Sequence, residues 1–150
     1  MPKFQSRHKV KHSAEDMFKL VADVERYPEF VPLCKALHIR GSKETEVGSI
    51  LVADMVVAYK MISESFTSKV TLLPLQHQIV AEYLDGPFRY MENRWNFEPI
   101  EGEPDACYVV FYIDYEFRNR MLSGLMGAMF DKAFKKFSAA FEQRADLIYG

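Results

Sequence analysis

The sequence predicts an α+β fold, in which a curved antiparallel sheet wraps around a long C-terminal helix and leaves an internal hydrophobic cavity. Three observations carry that expectation. Seven stretches between Phe4 and Phe117 alternate or run apolar at strand length, and those from Lys35 onward are joined by short, turn-rich connections. One short amphipathic segment interrupts them near the start, at 13–24. The last stretch, 121–149, repeats its apolar residues with helical period and must bury a broad face.

Taken in order, Phe4 to His12 alternates loosely and reads as a first strand, with Lys9 and Lys11 on the solvent side. In "SAEDMFKLVADV", Ser13 is placed to cap a helix. Ala14, Met17, Phe18, Val21 and Val24 recur at helical spacing. "RYPEFVPLC" breaks that helix at Pro28 and Pro32 and has room for one helical turn starting at Pro28. Strands follow at 35–40, 49–59, 61–73, 76–84, 90–97 and 106–117, with a turn over "GSKETEVG" and an acidic loop over "EPIEGEPD".

The segment "DGPFRYMENRWNF" holds the single tryptophan. Alternation puts Met91, Asn93, Trp95 and Phe97 on one face. In the last strand the same rule selects Cys107, Val109, Phe111, Ile113, Tyr115 and Phe117 as the inner set. On the final helix, at about 100° per residue, Phe130, Phe134, Phe137 and Phe141 form a narrow stripe, widened by Met126, Met129, Ala133 and Ala140. Gly124 and Gly127 fall at its start. Either they lie inside the helix and leave room for a ligand, or the helix begins after them. Arg144 falls within the stripe near the helix end, where an acidic partner would lock it.

Composition narrows the function classes. A chain of 150 residues, 49% hydrophobic and 27% charged, reads as one globular domain spanning 1–150. A net charge of −2 gives no reason to expect DNA binding. The small basic group Lys132, Lys135 and Lys136 is diluted by Asp131. Cys34 and Cys107 make neither a disulfide framework nor a zinc motif, and no metal site is expected. The opening "MPKFQSRHKVKH" has no apolar core of a signal peptide, and no run reaches the roughly 18 apolar residues of a membrane span. A cytoplasmic protein is expected, in solution or peripheral at the inner membrane.

The four histidines are scattered, and no nucleophile, metalloprotease or nucleotide-binding motif occurs. No catalytic residue and no catalytic cofactor are expected. Asp54, Glu64 and Asp114 lie in strands, where a cavity-facing carboxylate would suit a cyclase-like base and an outward one would be structural. The chain is instead rich in large adaptable apolar side chains, with 12 Phe, 8 Tyr and 8 Met. Strand parity and the helical stripe nominate Trp95, Phe97, Phe111, Tyr115, Met126, Phe130 and Phe134 as ligand-binding wall, with ordinary core packing as the alternative. Tyr27, Pro28 and Phe30 are nominated as pocket rim or membrane contact, with a rigid connector as the alternative.

"VADVERYPEFVPLC" (21–34), "DGPFRYMENRWNF" (85–97) and "FEQRADLIYG" (141–150) resemble the coenzyme-Q-binding START family, within the helix-grip, START-like superfamily that includes polyketide cyclases. Its bacterial branch includes proteins described as ribosome-association toxins. The resemblance covers nearly the whole chain. It implies a START-like helix-grip domain that binds ubiquinone or a related prenylated lipid. Such a domain would act as a carrier or chaperone in respiratory electron transport and quinone biosynthesis, with enzymes of those processes as partners. It also implies two alternatives: a toxin-like block of ribosomal subunit association, and a cyclase-like enzyme.

Overall fold

The computed structural model describes residues 3–59 and 61–150. One antiparallel sheet of seven strands dominates it, in the order β1-β7-β6-β5-β4-β3-β2. The strands are β1 (Lys3–Val10), β2 (Cys34–Glu44), β3 (Ser49–Tyr59), β4 (Ile62–Leu73), β5 (Gln78–Asp85), β6 (Phe88–Ile100) and β7 (Glu103–Phe117). Strands β2 to β7 form a meander of hairpins, and β1 closes the row by pairing with β7. The chain therefore crosses from one sheet edge to the other between β1 and β2. Helix α1 (Ala14–Ala22) and a 3-10 turn (Val24–Glu29) make that crossing. The long helix α2 (Arg120–Tyr149) follows β7 and packs on the sheet.

Register shifts in β2, β5 and β6 bend the sheet around the helix. The inner set predicted for β7 is buried from Cys107 to Phe117, and its aromatics meet α2. Tyr115 lies 5.3 Å and Phe111 6.1 Å from the Phe134 ring. The α+β helix-grip arrangement is thus observed. The Ser13 side chain caps α1 by accepting from the Asp16 amide.

Some boundaries differ from expectation for local reasons. Asn119 caps α2 by accepting from the Leu122 amide at 2.9 Å, so the helix starts before Gly124 and Gly127 and contains both. The turn over 41–48 is shorter, because β2 runs to Glu44 and the Thr45 hydroxyl closes the bend onto Gly48. The acidic loop shrinks to a tight turn whose Gly102 has φ +81°, a conformation glycine adopts without a Cβ clash. The helical turn expected to start at Pro28 begins four residues earlier, and Pro28 lies inside it.

Candidate functional site

A cavity of about 120 Å³ lies between the sheet and α2. Its sheet wall uses the inward parity of each strand: Ala53, Met55 and Val57 from β3, Phe66, Ser68 and Val70 from β4, and Ile79 and Ala81 from β5. Met91, Asn93 and Trp95 from β6 and Phe111 and Ile113 from β7 continue it. Phe130, Ala133, Phe134, Phe137 and Phe141 form the helix wall. The segment after α1 closes one side with Val24, Tyr27 and the stretch 31–33.

Of the seven predicted wall residues, Trp95, Phe111, Phe130 and Phe134 line this space. The expectation is corrected for the other three. Phe97 points under α1, with its ring edge-on to Phe18 at 6.2 Å. Tyr115 is held among Phe88, Phe117, Phe130 and Phe134. Met126 is fully buried one turn before the helix wall begins. All three share the right face, but alternation says nothing about where along that face the packing opens.

Of the predicted rim, Tyr27 lines the cavity, whereas Pro28 and Phe30 do not. Tyr27 donates its hydroxyl to the Val21 carbonyl, tying the end of α1 to the turn. Burial pushes its phenol well above the ordinary tyrosine range. Its ring and that of Phe30 both meet Phe141 edge-on, at 5.4 and 5.1 Å. Connector and cavity wall are therefore one structure at Tyr27, while Pro28 and Phe30 lie outside the lining, Pro28 on the surface and Phe30 half-buried against Phe141.

Two polar residues that were not nominated as wall, Ser68 and Asn93, also line the sheet side, along with the apolar residues of β3, β4 and β5. Asn93 was legible on the Trp95 face by alternation, whereas β3, apolar on both faces, gave no sign of which of its residues face in. Asn93 donates its side-chain amide to the Tyr112 carbonyl at 2.9 Å. Ser68 is 6% and Trp95 4% exposed. Among the described residues the buried side-chain polar atom without a hydrogen-bond partner is Arg144 Nε, at the far end of the helix wall. Ser68, Asn93 and Trp95 are the lining residues of the sheet wall whose side chains carry a hydrogen-bonding group.

No acidic, basic, histidine or cysteine side chain lines the cavity. Asp54 is turned away, accepting from Thr67 and pairing with Arg40 at 2.6 Å. These contacts hold its carboxyl below the usual range. Asp114 accepts from Tyr90, and Glu64 lies outside the lining. Among the described residues no three His, Cys, Asp or Glu side chains are grouped to hold a metal. No described helix is long and apolar enough to cross a membrane.

A second, open hollow of about 400 Å³ lies beside the first. The early part of α2 walls it through Leu125, Ala128, Met129, Lys132 and Lys136, and the β3–β4 hairpin faces them with Tyr59 and Ile62. Pro32, Leu33 and Ala133 border both hollows. Leu33 has φ +68°, a left-handed conformation that costs a branched residue about 1–2 kcal/mol. Its carbonyl accepts from the Ala58 amide, which holds the segment against β3.

A sheet gripping a helix around an aromatic-walled chamber, with an apolar hollow at its side, defines a START-like cavity protein. Residues 10–142 match the family described as polyketide cyclase/dehydrase and lipid transport, and the chain belongs to that family. It is 34% identical over 140 residues to the coenzyme Q-binding protein COQ10 homolog B of Xenopus laevis, covering 92% of this chain and 55% of that one. It therefore spans about half the length of that relative. It is 33% identical over 149 residues to the ribosome association toxin RatA of Escherichia coli K12, covering 99% of this chain and 90% of the toxin. The solution structure of an 18 kDa protein from Caulobacter crescentus superimposes with a TM-score of 0.80 at 29% identity, over 100% of this chain and 99% of the other.

Proposed function

We propose that this protein binds ubiquinone or a similarly prenylated quinone in its cavity and carries it without transforming it. The observation that carries the reading is the chamber itself. It is aromatic-walled and lined by no carboxylate, amine, imidazole or thiol, in a chain similar to a protein named for coenzyme Q binding. Flat rings suit the Trp95, Phe111 and Phe134 surfaces, and Met55 and Met91 give a wall that adapts to a ligand. No carboxylate, imidazole, amine or thiol lines the chamber, and the Tyr27 phenol is engaged with the Val21 carbonyl and raised by burial, which supports carriage over catalysis. In this reading the protein works in the cytoplasm or peripherally at the inner membrane. It serves enzymes of respiration or quinone synthesis.

The test is mass spectrometry of the organic extract of protein purified gently from native membranes. A stoichiometric quinone, lost in Trp95→Ala and Phe130→Ala variants that still fold, is the expected result. Folded protein that never carries lipid would overturn the proposal.

A second reading, interference with ribosomal subunit association, is favoured by one observation. The match to the ribosome association toxin runs nearly end to end on both chains. Co-sedimentation with separated ribosomal subunits, by lipid-free protein, is the result that reading requires.

A further inference from the structure

One end of the molecule exposes apolar and basic side chains together. The tip of the β3–β4 hairpin and the first half of α2 flank the open hollow there. Met61 at the hairpin tip is 99% exposed, and Met121 and Leu125 on the helix are 69% and 54% exposed. Helical spacing sets Met121, Leu125, Ala128, Lys132 and Lys136 on one stripe of α2, apolar at first and basic further along. No acidic side chain lines the hollow, and among the described residues neither Lys132 nor Lys136 forms an ion pair. The neighbouring Lys135 is the one that takes Asp131, at 3.0 Å. We infer that this end docks on an anionic phospholipid bilayer: Met61, Met121 and Leu125 enter the apolar edge of the leaflet, and Lys132 and Lys136 meet the lipid phosphates. Docking gives a face to the peripheral membrane contact proposed above and is independent of which lipid the cavity takes.

The spacing along the helix suits a bilayer surface. Lys132 follows Leu125 by two turns, about 10 Å along the axis. Interfacial helices bury their apolar faces by roughly 5–10 Å. With Leu125 at that depth, the Lys132 and Lys136 ammonium groups stand at headgroup level, while their methylene stems lie along apolar surface. Other occupants fit this face less well. RNA phosphates would satisfy the lysines but leave Met61, Met121 and Leu125 without an apolar partner. A second copy would bring Lys132 and Lys136 of both chains into one contact, with no acid on the stripe to match them. The face also differs from the connector that the sequence nominates for membrane contact, because Phe30 packs against Phe141 near the other end of α2.

Both native cysteines are buried, so a cysteine introduced at an exposed position can be labelled selectively. Met61→Cys would carry an environment-sensitive fluorophore. Val47→Cys, in the exposed turn at the opposite end of β3, is the control. The labelled full chain would be mixed with quinone-free vesicles of phosphatidylcholine, with and without phosphatidylglycerol, and separated by flotation. Flotation with the anionic vesicles is expected, with a blue shift at position 61 and none at 47. Added salt is expected to weaken binding. Lys132→Glu with Lys136→Glu, and separately Met121→Ser with Leu125→Ser, are each expected to lower partitioning at least about tenfold. These side chains are exposed, and circular dichroism confirms that each variant folds. Protein that stays behind with both vesicle types, or floats equally after both double substitutions, overturns the inference. So does a shift at position 61 that needs no vesicles and grows with protein concentration, which marks a second copy. A shift produced by RNA and not by vesicles overturns it in favour of a nucleic-acid partner. None of these outcomes bears on quinone binding, which the organic extract decides.

Discussion

Arg144 and Glu29 join the far end of the long helix to the turn that closes the cavity, with Nη2 2.7 Å from Oε1. Glu29 also accepts from Arg26 at 3.0 Å, and the Arg144 guanidinium sits 5.0 Å from the Phe30 ring. The acidic partner expected for Arg144 is therefore Glu29, supplied from 115 residues away. First Arg144 and then Arg26 hold the Glu29 carboxyl below its ordinary value of 4.5. A carboxyl depressed on folding contributes stability above its unfolded value and loses it as pH falls through the folded one. Glu29→Gln is therefore expected to lower Tm at pH 7. Its deficit against the parent protein is expected to shrink as pH drops below 4.5 and Glu29 itself protonates. Thermal unfolding of both proteins from pH 7 to pH 3 checks this.

Phe111 is 1% exposed and touches Trp95, Phe134 and Phe137 through its ring. Removing it enlarges a chamber that already exists, so nothing nearby collapses to fill the gap. Phe111→Ala is expected to destabilise by about 3–5 kcal/mol, read from urea midpoints at constant slope.

Gly86 has φ +144°, and a Cβ there would lie 2.5 Å from the Phe66 Cβ and 2.9 Å from its Cα. Phe66 lines the cavity and packs edge-on to Phe88 at 5.5 Å. Gly86→Ala is expected to cost roughly 2 kcal/mol or more, combining backbone strain with a displaced wall. Chemical denaturation measures the cost, and the Trp95 emission maximum reports whether the wall moves.

Leu33 borders both hollows in a left-handed conformation. Leu33→Gly removes the backbone penalty but also a partly buried side chain, so the net stability change is expected to stay within about 1 kcal/mol. The loss of this side chain from the cavity border is expected to accelerate release of a bound 6-decyl-2,3-dimethoxy-5-methyl-1,4-benzoquinone several-fold. Stopped-flow displacement, followed by recovery of Trp95 emission, gives the rate.

Cys34 and Cys107 are buried, and burial pushes both thiols up to about 11. Thiolate is the reactive form, so both are expected to be inert toward a disulfide reagent at pH 8 in the native state and to react fully after unfolding. Absorbance of the released thiol at each stage tests it. A thiol titrating in native protein would mean that the packing around it opens.

Patterns with a fixed period were legible before any coordinates. Alternation in β7 placed six buried side chains correctly, and the Phe130–Phe141 stripe placed the helix face. The Ser13 cap was legible because it is a contact within one turn. The membership of the cavity wall was only partly legible. Phe97, Tyr115 and Met126 obey the same periods as Trp95, Phe111 and Phe130, yet they pack solidly. Ser68 and Asn93 share an inward face whose importance appears only when β3, β4, β5 and β6 are in register.

The sequence by itself determined the order of elements, their inner faces and the aromatic richness of the interior, because each follows from periodicity and side-chain chemistry along the chain. Only the tertiary structure decided that the space between sheet and helix is a small chamber beside a larger open hollow. The same holds for the choice of Glu29 to receive Arg144 and of Leu33 to border both hollows. Empty volume is what remains after side chains from distant segments have packed, so it is a property of their joint arrangement and is carried by no single stretch of sequence.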